Sequence, residues 1–145
     1  MAVLQIREIG DPVLRTETQA VEEVDDKIRN LIENMAETMY AADGVGLAAP
    51  QVGVSKKVIV VDIGEGLLSL INPEIIDSSG LVCEEEGCLS IPKQNKMVTR
   101  DEQIVVEALD KDGNQLKLEA EGLLARVLQH EIDHLNGILF IDKAE

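Results

Sequence analysis

The sequence predicts an α+β fold in which mostly antiparallel β-sheets pack around a central C-terminal helix, with a second helix toward the N-terminus. Three observations carry this. An apolar series at Ile28, Leu31, Ile32, Met35 and Met39 has the i, i+3, i+4, i+7 spacing of an amphipathic helix. β-branched runs and a hairpin signal occupy the middle of the chain. A second helical series near the C-terminus carries both histidines, His130 and His134, at i and i+4. Strands in the middle with a helix at each end imply α+β with antiparallel pairing.

Each element follows from local chemistry. Residues 2–9 are mixed in character, and Asp11-Pro12 reads as a turn. Asp25 and Asp26 are candidate caps for the first helix, which fades around 41–44. The stretch GVGLAAPQ at 44–51 is small, with two glycines and a proline, so neither a regular helix nor a central strand is expected there. It reads as a loop with one polar side chain, Gln51, at its end. The run 57–63 is a strand, and 67–71 is another, stopped by Asn72-Pro73. Residues 74–83 are extended with a bend at 78–80. Segments 103–110 and 115–121 flank Lys111-Asp112-Gly113-Asn114, a hairpin turn of Asp-Gly type. In the second of these, Leu116, Leu118 and Ala120 face inward, and Lys117 and Glu119 outward.

Size and composition bound the function. The chain has 145 residues, which implies a single domain spanning 1–145 that needs no disulfide staples. With one Tyr and one Phe, the core must be aliphatic. A net charge of −15 argues against DNA or general nucleic-acid binding, which needs a positive footprint. No signal-type apolar region opens the chain, and no apolar run approaches a membrane span. Two cysteines without an export signal imply a reduced, cytoplasmic setting.

The chemistry centres on QHEIDHLNG at 129–137. The i, i+4 spacing puts both imidazoles on one helical face, within reach of one cation. Glu131 is rotated by about 100° from His130 and can flank a metal without ligating it, as a base beside the site would. Leu123, Val127, His130 and His134 share one arc of the helix, with Leu124, Leu128, Glu131 and Leu135 in the next. Arg126, Gln129, Asp133 and Asn136 share the opposite side, expected to face solvent. Gly137 is a natural stop.

A catalytic site of this type needs a third protein ligand and an open position. Phe140 stands where one protease class places a third histidine, and Glu145, the one downstream glutamate, is an unlikely ligand at a chain end. The third ligand is therefore sought upstream, where Cys83 and Cys88 are the best candidates. Cys88 follows Gly87, which permits an unusual backbone. Cys83 reads more simply as a buried small apolar residue. If 82–88 is extended, Val82, Glu84, Glu86 and Cys88 face one way and Cys83 the other. A thiolate with two imidazoles suits iron(II), zinc, cobalt or nickel.

Three segments now coincide: GVGLAAPQ at 44–51, EGCLS at 86–90 and QHEIDHLNG at 129–137. In this order and spacing the chain resembles bacterial peptide deformylase, over nearly its whole length. The resemblance implies a metal-dependent hydrolase that removes the formyl group from N-formylmethionine of newly made polypeptides. It implies Cys88, His130 and His134 as ligands of one divalent ion, Fe2+ first, with Ni2+, Co2+ or Zn2+ accepted. It implies Glu131 as catalytic acid–base, Gln51 and the Leu89 N–H as donors to the formyl oxygen, and Gly46 as a backbone contact to substrate. For the methionine side chain, Leu123 and Val127 on the histidine arc and Val45 in the glycine loop are the expected pocket walls.

Three departures from the family pattern stand out. Many relatives extend well beyond the position of Glu145, often with a long helix implicated in ribosome docking, so docking by such a helix is not expected here. Asn95 replaces an arginine near the peptide's tail, and Asn136 replaces an aspartate. Any ribosome contact by so acidic a chain needs a local basic area, and Lys93, Lys96 and Arg100 are the nearest cluster. Two other readings compete: a non-enzymatic domain with a closed Cys83, Cys88, His130, His134 zinc site, and a conventional metalloprotease. The first leaves Glu131 and Gln51 without a role.

Overall fold

The computed structural model describes residues 2–144. Helix α1 spans Asp26–Ala41, and Asp25 caps it by accepting from Ile28 N at 3.0 Å. Ile28, Ile32, Met35 and Met39 are buried along one face, as their spacing requires. Strands β1 (Gly46–Ala48), β2 (Val58–Val61), β3 (Leu68–Cys88), β4 (Ile91–Leu109) and β5 (Gln115–Glu121) form one antiparallel sheet in sequence order. Helix α2 covers Gly122–Leu135. The α+β expectation is met. Among the described residues, no helix is long and apolar enough to cross a membrane.

The alternation of β2 decides where the helices go. All four of its residues are buried. Val58 and Val60 join Ile28, Ile32, Met35 and Met39 of α1 in one cluster, while Ile59 and Val61 join Val127, Leu128, Ile132 and Leu135 of α2 in another. Successive side chains of a strand point to opposite faces, so each helix covers one face. The neighbouring β1 splits likewise, with Leu47 in the α1 cluster and Ala48 in the α2 cluster.

The structure departs from the sequence reading at several places. The 44–51 stretch is an edge strand followed by a 3-10 turn, Ala49–Val52. Asn72-Pro73 does not stop a strand. The register shifts between Ile71 and Glu74, with Asn72 at φ +53°, and β3 continues. That bulge absorbs the proline's missing N–H. It also aims the Asn72 side chain at Val21, accepting from its N–H at 2.8 Å and donating to its carbonyl at 2.9 Å. Residues 91–102 belong to β4, which pairs along β3 from a two-residue turn at Leu89-Ser90. The β4–β5 hairpin turns at 110–114 as read, and Leu116, Leu118 and Ala120 are the shielded positions of β5.

Ten of the 14 residues of α2 are buried, Arg126 and Gln129 among them. The expected solvent face is therefore only partly realised: the long β3–β4 hairpin covers Arg126 and Gln129, while Asp133 is half-buried and Asn136 is exposed. Gln129 Nε2 donates to Asp101 O at 2.8 Å and its Oε1 accepts from Asp101 N at 3.0 Å, clasping one residue of β4.

Gly137 ends α2 at φ +74°, where an added Cβ would lie 2.7 Å from the carbonyl oxygen of Arg15. Gly137→Ala therefore meets both a left-handed backbone and a main-chain clash. We expect a loss of about 2 kcal/mol, read as a Tm lowered by roughly 4–8 °C. An unchanged Tm would mean the turn relaxes freely.

Candidate metal centre

Three elements converge beneath α2. The helix supplies His130, Glu131 and His134; the end of β3 supplies Glu86 and Cys88; the 3-10 turn after β1 supplies Gln51. Among the described residues, Cys88, His130 and His134 each bring one ligand atom into a group whose members lie within 4.8 Å of one another. Cys88 Sγ is 3.3 Å from His134 Nε2. Donors held at the usual 2.0–2.3 Å from one tetrahedral ion stand roughly 3–4 Å apart, which the Cys88–His134 pair already meets, and the donor chemistry of one thiolate and two imidazoles fits a divalent cation of the zinc or iron type. Cys83 is not in the group. It lies exposed on β3, not buried as expected, and the closed four-ligand site is absent among the described residues. Glu145 lies outside the described residues.

The histidines are oriented by their surroundings. His130 Nδ1 donates to Glu86 Oε1 at 2.9 Å, which leaves Nε2 as the ligand atom. Its ring stacks on Phe140, with centroids 5.9 Å apart. The residue at the position of a third histidine is thus a buried packing partner. Burial disfavours the His130 cation, but hydrogen bonds to Cys88 and Glu86 and the charge of Glu131 outweigh it and raise its pKa to about 10, so an incoming cation would have to displace the Nε2 proton in order to bind there. Burial, helped by His130 and Arg100, pushes His134 down to about 3, so it is neutral and able to ligate.

Glu86 is the residue the sequence reading passed over. Its carboxylate is buried and accepts from Arg100 Nε at 2.7 Å, Arg100 Nη2 at 2.9 Å, Arg126 Nη1 and His130. Burial alone would raise its pKa, yet His130 and Arg100 bring it down to about 2. Arg100 also reaches Asp133 at 2.6 Å. It is therefore no part of a surface basic cluster, and Lys93 and Lys96 remain exposed without it. Glu86 sits two residues before Cys88 on an extended segment, the one signal that marked it. Glu84 and Glu85 beside it made the run look like a solvated face.

Glu131 is buried, and its Oε1 has no hydrogen-bond partner. Burial is the main cause of a pKa raised to about 7, against the opposing charges of His130 and Arg100. A Cβ at Gly46 would lie 2.6 Å from Glu131 Oε2 and 2.8 Å from Val127 Cγ1, so glycine is what keeps this carboxylate uncrowded. Gln51 is buried; its Oε1 accepts from Ala48 N at 2.9 Å and its Nε2 lies 3.5 Å from Cys88 Sγ. A pocket of about 360 Å³ opens beside these groups. Val45, Leu123 and Val127 all line it, together with Gly46, Leu89 and Glu131. Val45 and Leu123 are exposed at its mouth, and Val127 is buried. Asn95 packs against Gly87, and Asn136 caps α2.

The profile of the family described as Polypeptide deformylase matches residues 3–145. The chain is 61% identical to peptide deformylase of Halothermothrix orenii, over 99% of this chain and 94% of that one. It is 56% identical to that of Carboxydothermus hydrogenoformans, over 100% and 95%. Among solved structures, peptide deformylase from Thermotoga maritima superposes with a TM-score of 0.97 at 46% identity, covering 99% of this chain and 98% of that one. The enzyme from Ehrlichia chaffeensis in complex with actinonin gives 0.98 at 43% identity, over 100% and 90%.

The two cysteines should separate cleanly. Cys83→Ser is expected to keep stoichiometric metal, measured by atomic absorption, and to leave the Co(II) absorption spectrum unchanged. Cys88→Ser should lose tight binding or shift that spectrum, since an alcohol is a poor substitute for thiolate. Loss of metal from the Cys83 variant would remove this ligand assignment.

Proposed function

The chain belongs to the polypeptide deformylase family, and from that membership we propose how its own residues carry the family's reaction. It is a metal-dependent hydrolase that removes the N-formyl group from nascent peptides beginning with formylmethionine. The single observation that carries the proposal is Glu131, a buried carboxylate with one unpaired oxygen beside a three-donor cation site.

In this reading Cys88, His130 and His134 hold one divalent ion, Fe2+ in the cell, with Zn2+, Ni2+ or Co2+ accepted; the donor set of one thiolate and two imidazoles supports this. Such an ion, when bound, makes water acidic enough to attack near neutral pH and polarises the formyl carbonyl. Glu131 takes the proton from the attacking water and returns it to the leaving nitrogen as the C–N bond breaks, which yields formate and a free α-amine. Its raised pKa suits a group that must both accept and release a proton near neutrality. Gln51 Nε2 and the Leu89 N–H donate to the formyl oxygen as negative charge develops there. The backbone at Gly46 contacts the peptide, and the methionine side chain enters between Val45, Leu123 and Val127. Their shared pocket supports that assignment.

We further propose that residues 1–145 act as one metallohydrolase domain, a reading supported by the single sheet that both helices cover. Work on nascent peptides favours a cytoplasmic setting. Any transient contact with the ribosome by a chain of net charge −15 would fall to local cations such as Lys93 and Lys96.

Glu131→Gln keeps shape but cannot carry the proton. It should remain folded and metal-loaded, with kcat for formate release from formyl-Met-Ala-Ser reduced by at least about a hundredfold. Full metal with near-normal turnover would remove Glu131 from the mechanism. Val127→Trp fills the pocket and should raise KM for formyl-Met peptides while metal content holds; unchanged kinetics would mean that Val127 does not meet substrate.

A further inference from the structure

Ser90 is fully buried and forms, with Leu89, the turn that joins β3 to β4. Its Oγ accepts a hydrogen bond from Gln51 Nε2 at 3.0 Å. We propose that Ser90 is a positioning residue that fixes the Gln51 carboxamide in its donating orientation. The proposal rests on the reading of Gln51 as a donor to the formyl oxygen.

A carboxamide has one acceptor oxygen and two N–H donors. Ala48 N–H occupies the oxygen at 2.9 Å, so the amino group must turn toward Cys88 and Ser90; the opposite flip would set one N–H against another. One of its N–H bonds goes to Ser90. The other faces Cys88 Sγ at 3.5 Å, a long contact to a weak acceptor, and is the one a substrate oxygen can draw on. With only the Ala48 anchor, the amide plane could still swing about that single bond. The Ser90 hydroxyl supplies the second anchor and fixes the plane before substrate arrives, which is when fixing it is useful.

The main chain makes the same connection. Arg7 N donates to the carbonyl of Gln51 at 2.6 Å, and Ile9 N donates to the carbonyl of Ser90 at 2.8 Å. One segment, residues 7–9, thus spans both residues and holds the 3-10 turn against the hairpin turn. Three consecutive residues then serve one site: Cys88 through its sulfur, Leu89 through its N–H, and Ser90 through the hydroxyl that aims the other donor.

The test is a double-substitution cycle on the Co(II)-loaded enzyme, with formyl-Met-Ala-Ser as substrate. Ser90→Ala and Ser90→Cys should each lower kcat roughly five- to tenfold, the value of one hydrogen bond, with KM moved by no more than about twofold. The Co(II) spectrum should not change. In a Gln51→Ala background, Ser90→Ala should cost nothing further. The cysteine variant leaves no void, since sulfur is larger than oxygen, but accepts only weakly, and so separates a weakened acceptor from a packing void. Wild-type kcat in either Ser90 variant, or losses that multiply in the double variant, would overturn the proposal. Wild-type kcat in Gln51→Ala alone would overturn the reading of Gln51 and this proposal with it. A slow Gln51→Ala without coupling to Ser90 would remove Ser90 only.

Discussion

One buried carboxylate, Glu86, decides how β3, β4 and α2 meet. It gathers Arg100 from β4, and Arg126 and His130 from α2. Burying a charge is costly unless partners replace its hydration, and here both oxygens are occupied. Loss of one member of such a cluster typically costs about 3–5 kcal/mol, because the others are left buried and unpaired. The arrangement is therefore a constraint more than a source of stability. It admits one rotation of α2, and that rotation turns His130 Nε2 toward Cys88. Arg126 extends the constraint by donating to the carbonyls of Val82 at 2.7 Å and Val98 at 3.0 Å, one on each strand of the hairpin.

Outside α2 and β3, the candidate site draws on segments that are poor in structure of their own. The 3-10 turn that carries Gln51 has four residues, and the turn that follows Cys88 has two. Such segments hold position only when something rigid takes up their polar groups. The Arg7–Ile9 segment, the Ala48 N–H and the buried end of β3 do this work, so precision at the site comes from packing between elements and not from any one of them.

Much of this was legible in the sequence, for reasons that can be stated. The two helices declared themselves by spacing and by Asp25, and the β4–β5 hairpin by its Asp-Gly turn. The three motif segments located Gln51, Cys88, His130, Glu131 and His134. What stayed hidden was set by partners that periodicity cannot see. Arg126 and Gln129 read as solvent-facing because they are polar, yet Glu86 and Asp101 wait across the interface. Residues 91–102 lack clear alternation because β4 there is tied to β3 by its backbone, with most side chains of 92–97 exposed. Asn72-Pro73 looked like a stop because a bulge stabilised by Val21 is a long-range event. Cys83 looked buried on type alone, but its place on the hairpin is the outer face.

The double coverage of β2 has a bearing on how the chain folds. Val58 and Val60 need α1, and Ile59 and Val61 need α2. These helices lie far apart in the chain, on either side of the whole β3–β4–β5 meander. A chain still missing α2 would leave one aliphatic side of β2 uncovered, so the sheet's centre cannot settle early. Loop-closure entropy must be met before those contacts form, which places this fold among the slower, non-local kind. The partly made protein would meanwhile present a short β-branched surface open to wrong pairings. Of the two α-helices the later one is thus both the one that closes the core and the one that bears the histidines, so a chain without it lacks two of the three residues grouped around the candidate cation site.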